Sequence, residues 1–204
     1  ACYQVQPEQI PLTAIGKKSM VIGVYSPVSR CGKTGFCITL GQILARESQA
    51  LMISLEEHSG LSRLTGTEYT TSLSDLIYDY RRGDYTRMRL GAVVHNWGGL
   101  DYIPPALYAE DLAEIQGEEL ARLTAQIAAE GVYPVILMDI GHLGRGLEPV
   151  LELCGVIYTP IKEDCGSAAK LSAWQDYLEL CGRAYLWERV HLLKLPRPGA
   201  VWQV

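Results

Sequence analysis

Three runs constrain this chain more than any other feature: residues 19–25 (SMVIGVY), 50–55 (ALMISL) and 132–140 (VYPVILMDI) are apolar almost throughout, with no alternation. A strand with one wet face alternates; a strand that reads as continuously apolar is covered on both faces, as in a parallel sheet. Between these runs lie segments of helical spacing. Residues 34–47 (TGFCITLGQILARE) place Phe36, Ile38, Leu40, Ile43 and Leu44 in one stripe, and 72–80 (SLSDLIYDY) offers Ser72 or Ser74 as a cap. Residues 118–130 set Leu120, Leu123, Ile127 and Ala128 on one face and close at Gly131, and a further helix spans about 167–180. Shorter strands are expected at 100–103, halted by Pro104-Pro105, at 155–159 and at 190–195. Strand and helix in alternation imply an α/β fold of three layers, a mostly parallel sheet with helices on both faces. At 204 residues the chain is long enough for one such domain and too short for two with a linker. Residues 1–18, polar and ending in Gly16-Lys17-Lys18, read as an arm or linker end, and 19–204 as the domain. The start at Ala1 rather than Met suggests a piece excised from a longer chain.

Composition narrows the function classes. With 48% hydrophobic and 20% charged residues the chain is expected to be globular, and a net charge of −5 gives no global reason to hold nucleic acid or an anionic membrane. The basic and aromatic cluster of Arg81, Arg82, Arg87 and Arg89 with Tyr78, Tyr80 and Tyr85 is open to two readings, a contact for a partner or phosphate backbone, or a solvated helix end. Six cysteines without a C-x-x-C pair, and without histidine at ligand spacing, argue against a zinc site or a disulfide framework and for a reducing cytoplasm. No apolar run reaches about 18 residues, no basic segment precedes an apolar one at the N-terminus, and the closing RPGAVWQV has no amphipathic pattern. A cytoplasmic protein without a visible membrane anchor is the expectation.

In sheets of this type ligands bind beyond the carboxyl ends of the strands. Three loaded segments fall there. The first is SPVSRCGKTGF, residues 26–36, between the first strand and the first helix. A phosphate-binding loop needs backbone N–H groups converging at a helix N-terminus, a lysine that reaches the terminal phosphates and a hydroxyl for magnesium. Ser29, Arg30, Cys31, Gly32, Lys33, Thr34 and Gly35 supply these parts, with Thr34 as the hydroxyl. Pro27 lacks an N–H, and Ser29 and Arg30 stand where glycine would turn more freely. Cys31, at a helix N-terminus, is either a reactive thiol of lowered pKa or a packed side chain. The second segment is Asp139, placed after four apolar residues to hold magnesium, or else to cap a turn. The third is Glu56, read either as a carboxylate that orients water or as part of a solvated acidic turn with Glu57.

These residues in this order, with MISLEEHSG, SLSDLIYDY, LDYIPPA and YPVILMDIG, resemble the MinD/ParA family of deviant Walker A P-loop ATPases, nearest the TadZ/CpaE-like pilus-localisation branch. The resemblance spans about residues 19–195. It implies ATP and magnesium as ligands, Lys33 and Glu56 as catalytic residues, Thr34 and Asp139 as metal ligands, a homodimer gated by nucleotide, and a protein partner. The family's signature lysine would fall at Val28 and is absent; Arg30 is either its substitute, acting within the chain or across a dimer, or a solvated loop arginine. His142 stands where the family has a proline-rich turn, and is read as either a phosphate contact or a solvated side chain. The resemblance also implies a receiver-like domain ahead of this one in a longer chain. Three functions follow: a slow ATPase switch that positions a cellular structure, a scaffold that binds nucleotide without turnover or not at all, or a small-molecule kinase or ligase on the same fold.

Overall fold

The computed structural model describes residues 19–57, 59–141 and 146–196. Its centre is a seven-stranded sheet. In chain order the strands are β1 (Met20–Val24), β2 (Ala50–Leu55), β3 (His95–Trp97), β4 (Leu100–Ile103), β5 (Val135–Ile140), β6 (Val156–Ile161) and β7 (Val190–Lys194). Across the sheet they run β3-β4-β2-β5-β1-β6-β7, every pair parallel except β3 with β4. The expected α/β architecture is therefore present. The runs that read as doubly covered are so: every residue of β2 and β5 is buried.

Among the described residues eight α-helices connect the strands: α1 (Lys33–Leu44), α2 (Leu61–Thr65), α3 (Leu73–Arg81), α4 (Arg87–Val93), α5 (Ala109–Ala113), α6 (Gly117–Ala129), α7 (Leu147–Leu153) and α8 (Cys165–Leu180). One core, on the face of α3, α6 and α8, gathers Leu73, Leu76, Leu120, Leu123, Ile127, Trp174 and Leu178 over Val21, Leu51, Ile53 and Ile136. The other, on the face of α1 and α2, packs Cys37, Ile38 and Leu61 against Ile22, Met52, Tyr102 and Leu137. Ser72 is the cap of α3: its Oγ accepts from Ser74 N (3.2 Å), and its own N–H donates to Asp75 Oδ2 (2.8 Å). Gly131, with φ 67, ends the chain segment of α6 as expected.

Several details differ from the sequence expectation. The strand expected from 132 begins at Val135, because Pro134 has no N–H for the ladder; its carbonyl instead accepts from Met20 N (2.8 Å). The α1 stripe is rotated: Cys37, Ile38 and Gly41 are buried, while Ile43 is 53% exposed. Gly41 sets this rotation, since a Cβ there would lie 2.7 Å from Leu100 Cδ2, so α1 presses its backbone onto β4 along that line. The antiparallel edge strand β3 turns into β4 through Gly98 and Gly99, both at positive φ (59 and 87), as a two-residue hairpin of the right twist requires.

Gly41→Ala should therefore lower the melting temperature although alanine favours a helix by about 1 kcal/mol, because overpacking a core costs about 1–3 kcal/mol. In a Leu100→Ala background the same change should be neutral or stabilising. Thermal denaturation of the four proteins checks this, and a destabilisation of equal size in both backgrounds would contradict the contact.

Candidate functional site

β1 ends at the middle of the sheet, flanked by β5 and β6, and its register pairs Val24 with Asp139. On the other side of β5, Ser54 of β2 pairs with the same Asp139. Three strand ends thus open onto one place. The chain leaves β1 through a tight turn in which Ser26 Oγ accepts from Val28 N (3.1 Å) and Cys31 Sγ donates to Val28 O (3.0 Å). Val28 and Cys31 are buried, at 4% and 8% exposure, so Cys31 is packed and hydrogen-bonded, and position 28 points inward. Arg30 then adopts φ 53 and Gly32 φ 88. For an arginine that conformation costs on the order of 1 kcal/mol, whereas Gly32 adopts it freely and leaves room for Leu195 Cδ1, which would lie 3.2 Å from a Cβ there.

The two left-handed residues aim the chain into α1. That helix begins at Lys33 with no side-chain cap and no acidic residue in its first turn. Its first N–H groups and the positive end of its dipole are left for an anion. They border a cavity of about 470 Å³ lined by Ser29, Arg30, Cys31, Gly32, Lys33, Thr34, Gly35, Glu56, Glu57 and Gly141. The seven loop residues expected to hold a ligand are brought together here, with Glu56 across from them.

Lys33 Nζ lies 3.4 Å from Glu56 Oε1, the two side chains being 15% and 28% exposed. Glu56 thus reaches the cavity paired to the loop lysine. Gly141 makes the approach possible: a Cβ there would come within 2.7 Å of Leu55 O and 3.0 Å of Glu56 Cα. Asp139 is fully buried at the end of β5. Burial, and next to it the charge of Glu56, push its carboxyl up from the ordinary 3.8 to about 7. The hydroxyls of Thr34 and Ser54 and the charge of Lys33 pull the other way, yet none satisfies it: Asp139 Oδ1 and Oδ2, and Ser54 Oγ, are buried without a hydrogen-bond partner. A buried, unmatched carboxylate beside two hydroxyls fits a hard cation that keeps its own waters, such as magnesium. Among the described residues no three His, Cys, Asp or Glu side chains converge as a protein-only metal cage.

Ser54 and Gly141 were not singled out from the sequence, although a lone serine in the apolar run ALMISL is a legible signal. His142 and the closing RPGAVWQV lie outside the described residues, as does the arm 1–18. Three of the four arginines of the cluster are paired within the chain. Arg81 makes a two-pronged pair with Glu119 (2.8 and 2.9 Å), Arg82 pairs with Asp84 (3.2 Å) and Arg89 with Asp79 (3.7 Å). No helix among the described residues is long and apolar enough to cross a membrane.

Comparison with solved structures decides the fold. A ParA family ATPase from Chlorobium tepidum superposes with a TM-score of 0.67 at 19% identity, over 88% of this chain and 74% of that one. This is the fold of the ParA/MinD-type ATPases. The septum site-determining protein MinD of Pyrococcus horikoshii, complexed with Mg-ADP, shares this ParA/MinD fold at TM-score 0.63 and 15% identity, over 86% of this chain and 68% of that one. So does cobyrinic acid a,c-diamide synthase of Mycobacterium smegmatis, with a bound ATP analogue and magnesium, at 0.62 and 16%, over 85% and 72%. No protein-family model and no curated protein sequence matches the chain.

The raised Asp139 carboxyl makes a signed prediction. Between about 3.8 and about 7 the folded ligand-free protein holds a proton that the unfolded chain releases, so this stabilisation is fully present below about 3.8, falls as pH rises and is gone above about 7. Asp139→Asn should raise the melting temperature by several degrees at pH 8 and by clearly less at pH 5, where only part of the loss has occurred. Equal changes at both pH values would contradict the burial argument.

Proposed function

We propose that the chain binds ATP and magnesium in this cavity, hydrolyses the nucleotide slowly, and acts as a nucleotide-gated dimerising switch that positions a cellular structure. The observation that carries the reading is the convergence of the uncapped α1 N-terminus, Lys33 and the unmatched Asp139 carboxylate at the central strand ends. In this reading the amides of residues 29–35 hold phosphate oxygens, Lys33 exchanges its pairing with Glu56 for the terminal phosphates, and Thr34 and Asp139 hold the cation. Bound magnesium supplies positive charge to the phosphate oxygens. Glu56, released from Lys33, orients the attacking water. The chain's work is positioning and electrostatics, so few side chains are needed.

The finer assignments are part of the same proposal: a TadZ/CpaE-like member of the ParA/MinD group, cytoplasmic, a homodimer when loaded, with a protein partner that reads its state. The structures that share the fold, two of them holding nucleotide and magnesium, support the general direction. A second reading, a nucleotide-binding scaffold without turnover, is favoured by one observation. Val28, at the position of the signature lysine in the family that the chain resembles, is buried, so no cation projects from there.

Calorimetric titration with Mg-ATP, with light scattering for mass and a phosphate-release assay on the same sample, separates the two. The switch predicts binding, a doubled mass and slow phosphate release, and a loss of at least about tenfold in affinity for Lys33→Ala, equivalent to about 1.4 kcal/mol. Binding without release selects the scaffold. Absence of binding at millimolar Mg-ATP contradicts both.

A further inference from the structure

Arg30 lines the cavity, and its side chain has no part in the foregoing roles. It has the only positive φ, 53, outside glycine among the described residues, in an exposed position on the loop. A side chain is retained where glycine would relieve the backbone, and such outliers cluster where a ligand is gripped. The charges around the cavity sharpen the point. Two carboxylates, Glu56 and Glu57, face two cations, Lys33 and Arg30. Lys33 is already shared with Glu56, whereas Arg30 enters none of the ion pairs among the described residues.

The α1 amides serve a diphosphate and a triphosphate alike. A third phosphoryl group brings further negative charge, which a second cation at the cavity wall would offset. A guanidinium, planar and always charged, matches two phosphate oxygens at once and does so better than an ammonium. Resting on the proposed nucleotide reading, we infer that Arg30 is the ligand of the terminal phosphate in its own chain's cavity and the group by which the site distinguishes a triphosphate from a diphosphate.

The test compares Arg30→Gly, Arg30→Lys and the parent protein by calorimetry with two probes, Mg-ADP and magnesium with a non-hydrolysable ATP analogue. Glycine suits φ 53, so Arg30→Gly should melt no lower than the parent and isolates the side chain from the backbone. The expected result is a loss of at least tenfold in analogue affinity with Mg-ADP changed less than threefold, and an intermediate value for Arg30→Lys. Unchanged analogue affinity, or equal losses for both probes, overturns the assignment while leaving the nucleotide reading intact. A parent protein that binds neither probe overturns the nucleotide reading and this inference with it. Mixing Arg30→Gly with Lys33→Ala chains tests the location of the guanidinium. Recovered analogue binding in the mixture would place it in a partner's site and contradict its action within one chain.

Discussion

A carboxylate taken out of water with nothing to accept from is the constraint around which this site is built. Asp139 occupies the end of the most central strand, fully buried, both oxygens unmatched. Such a group costs several kcal/mol unless it is protonated or paired. It persists because the sheet over-determines its place: β5 is locked between β1 and β2 in continuous parallel register, and its other residues are buried in apolar cores on both faces. The raised carboxyl is the visible sign of that cost. A cation delivered with phosphates and water would remove it, which links the energetics of the fold directly to ligand binding.

The loop and the acidic turn answer the same constraint from opposite sides. Glu56 raises the carboxyl of Asp139, and Lys33 both lowers it and holds Glu56 at 3.4 Å. With the Asp139 carboxyl protonated below about 7, Lys33 and Glu56 form a compensated pair beside it when nothing else is present. A polyphosphate entering the cavity would compete for Lys33 and so disturb all three groups at once. The pair is partly exposed, so its own contribution to stability is small; its weight lies in how readily it is exchanged.

Much of this was legible before any coordinates. The unalternating runs at 50–55 and 132–140 announced a parallel, doubly covered sheet, and the position of Asp139 and Glu56 at strand ends placed them where ligands bind in such sheets. The strand, loop and helix around Gly32-Lys33-Thr34 were readable from a buried apolar run followed by helical spacing. What escaped reading depends on contacts distant in the chain. The face of α1 is chosen by Leu100 against Gly41, and the approach of Glu56 by the absence of a Cβ at Gly141, neither of which leaves a periodic trace. The hairpin of β3 was missed although Gly98-Gly99 is a turn signal, because its strand is only three residues long. The left-handed backbone of Arg30 has no residue preference to betray it.

The most direct test of the account is the titration of the Asp139 carboxyl, followed by carbon-detected NMR on selectively labelled protein, without ligand and with magnesium and a non-hydrolysable ATP analogue. The account predicts a carboxyl that titrates near 7 alone and falls well below that when the complex forms, since bound positive charge favours the ionised form. A titration unchanged by the complex would contradict the central claim that this buried carboxylate is the metal-facing group of a nucleotide site.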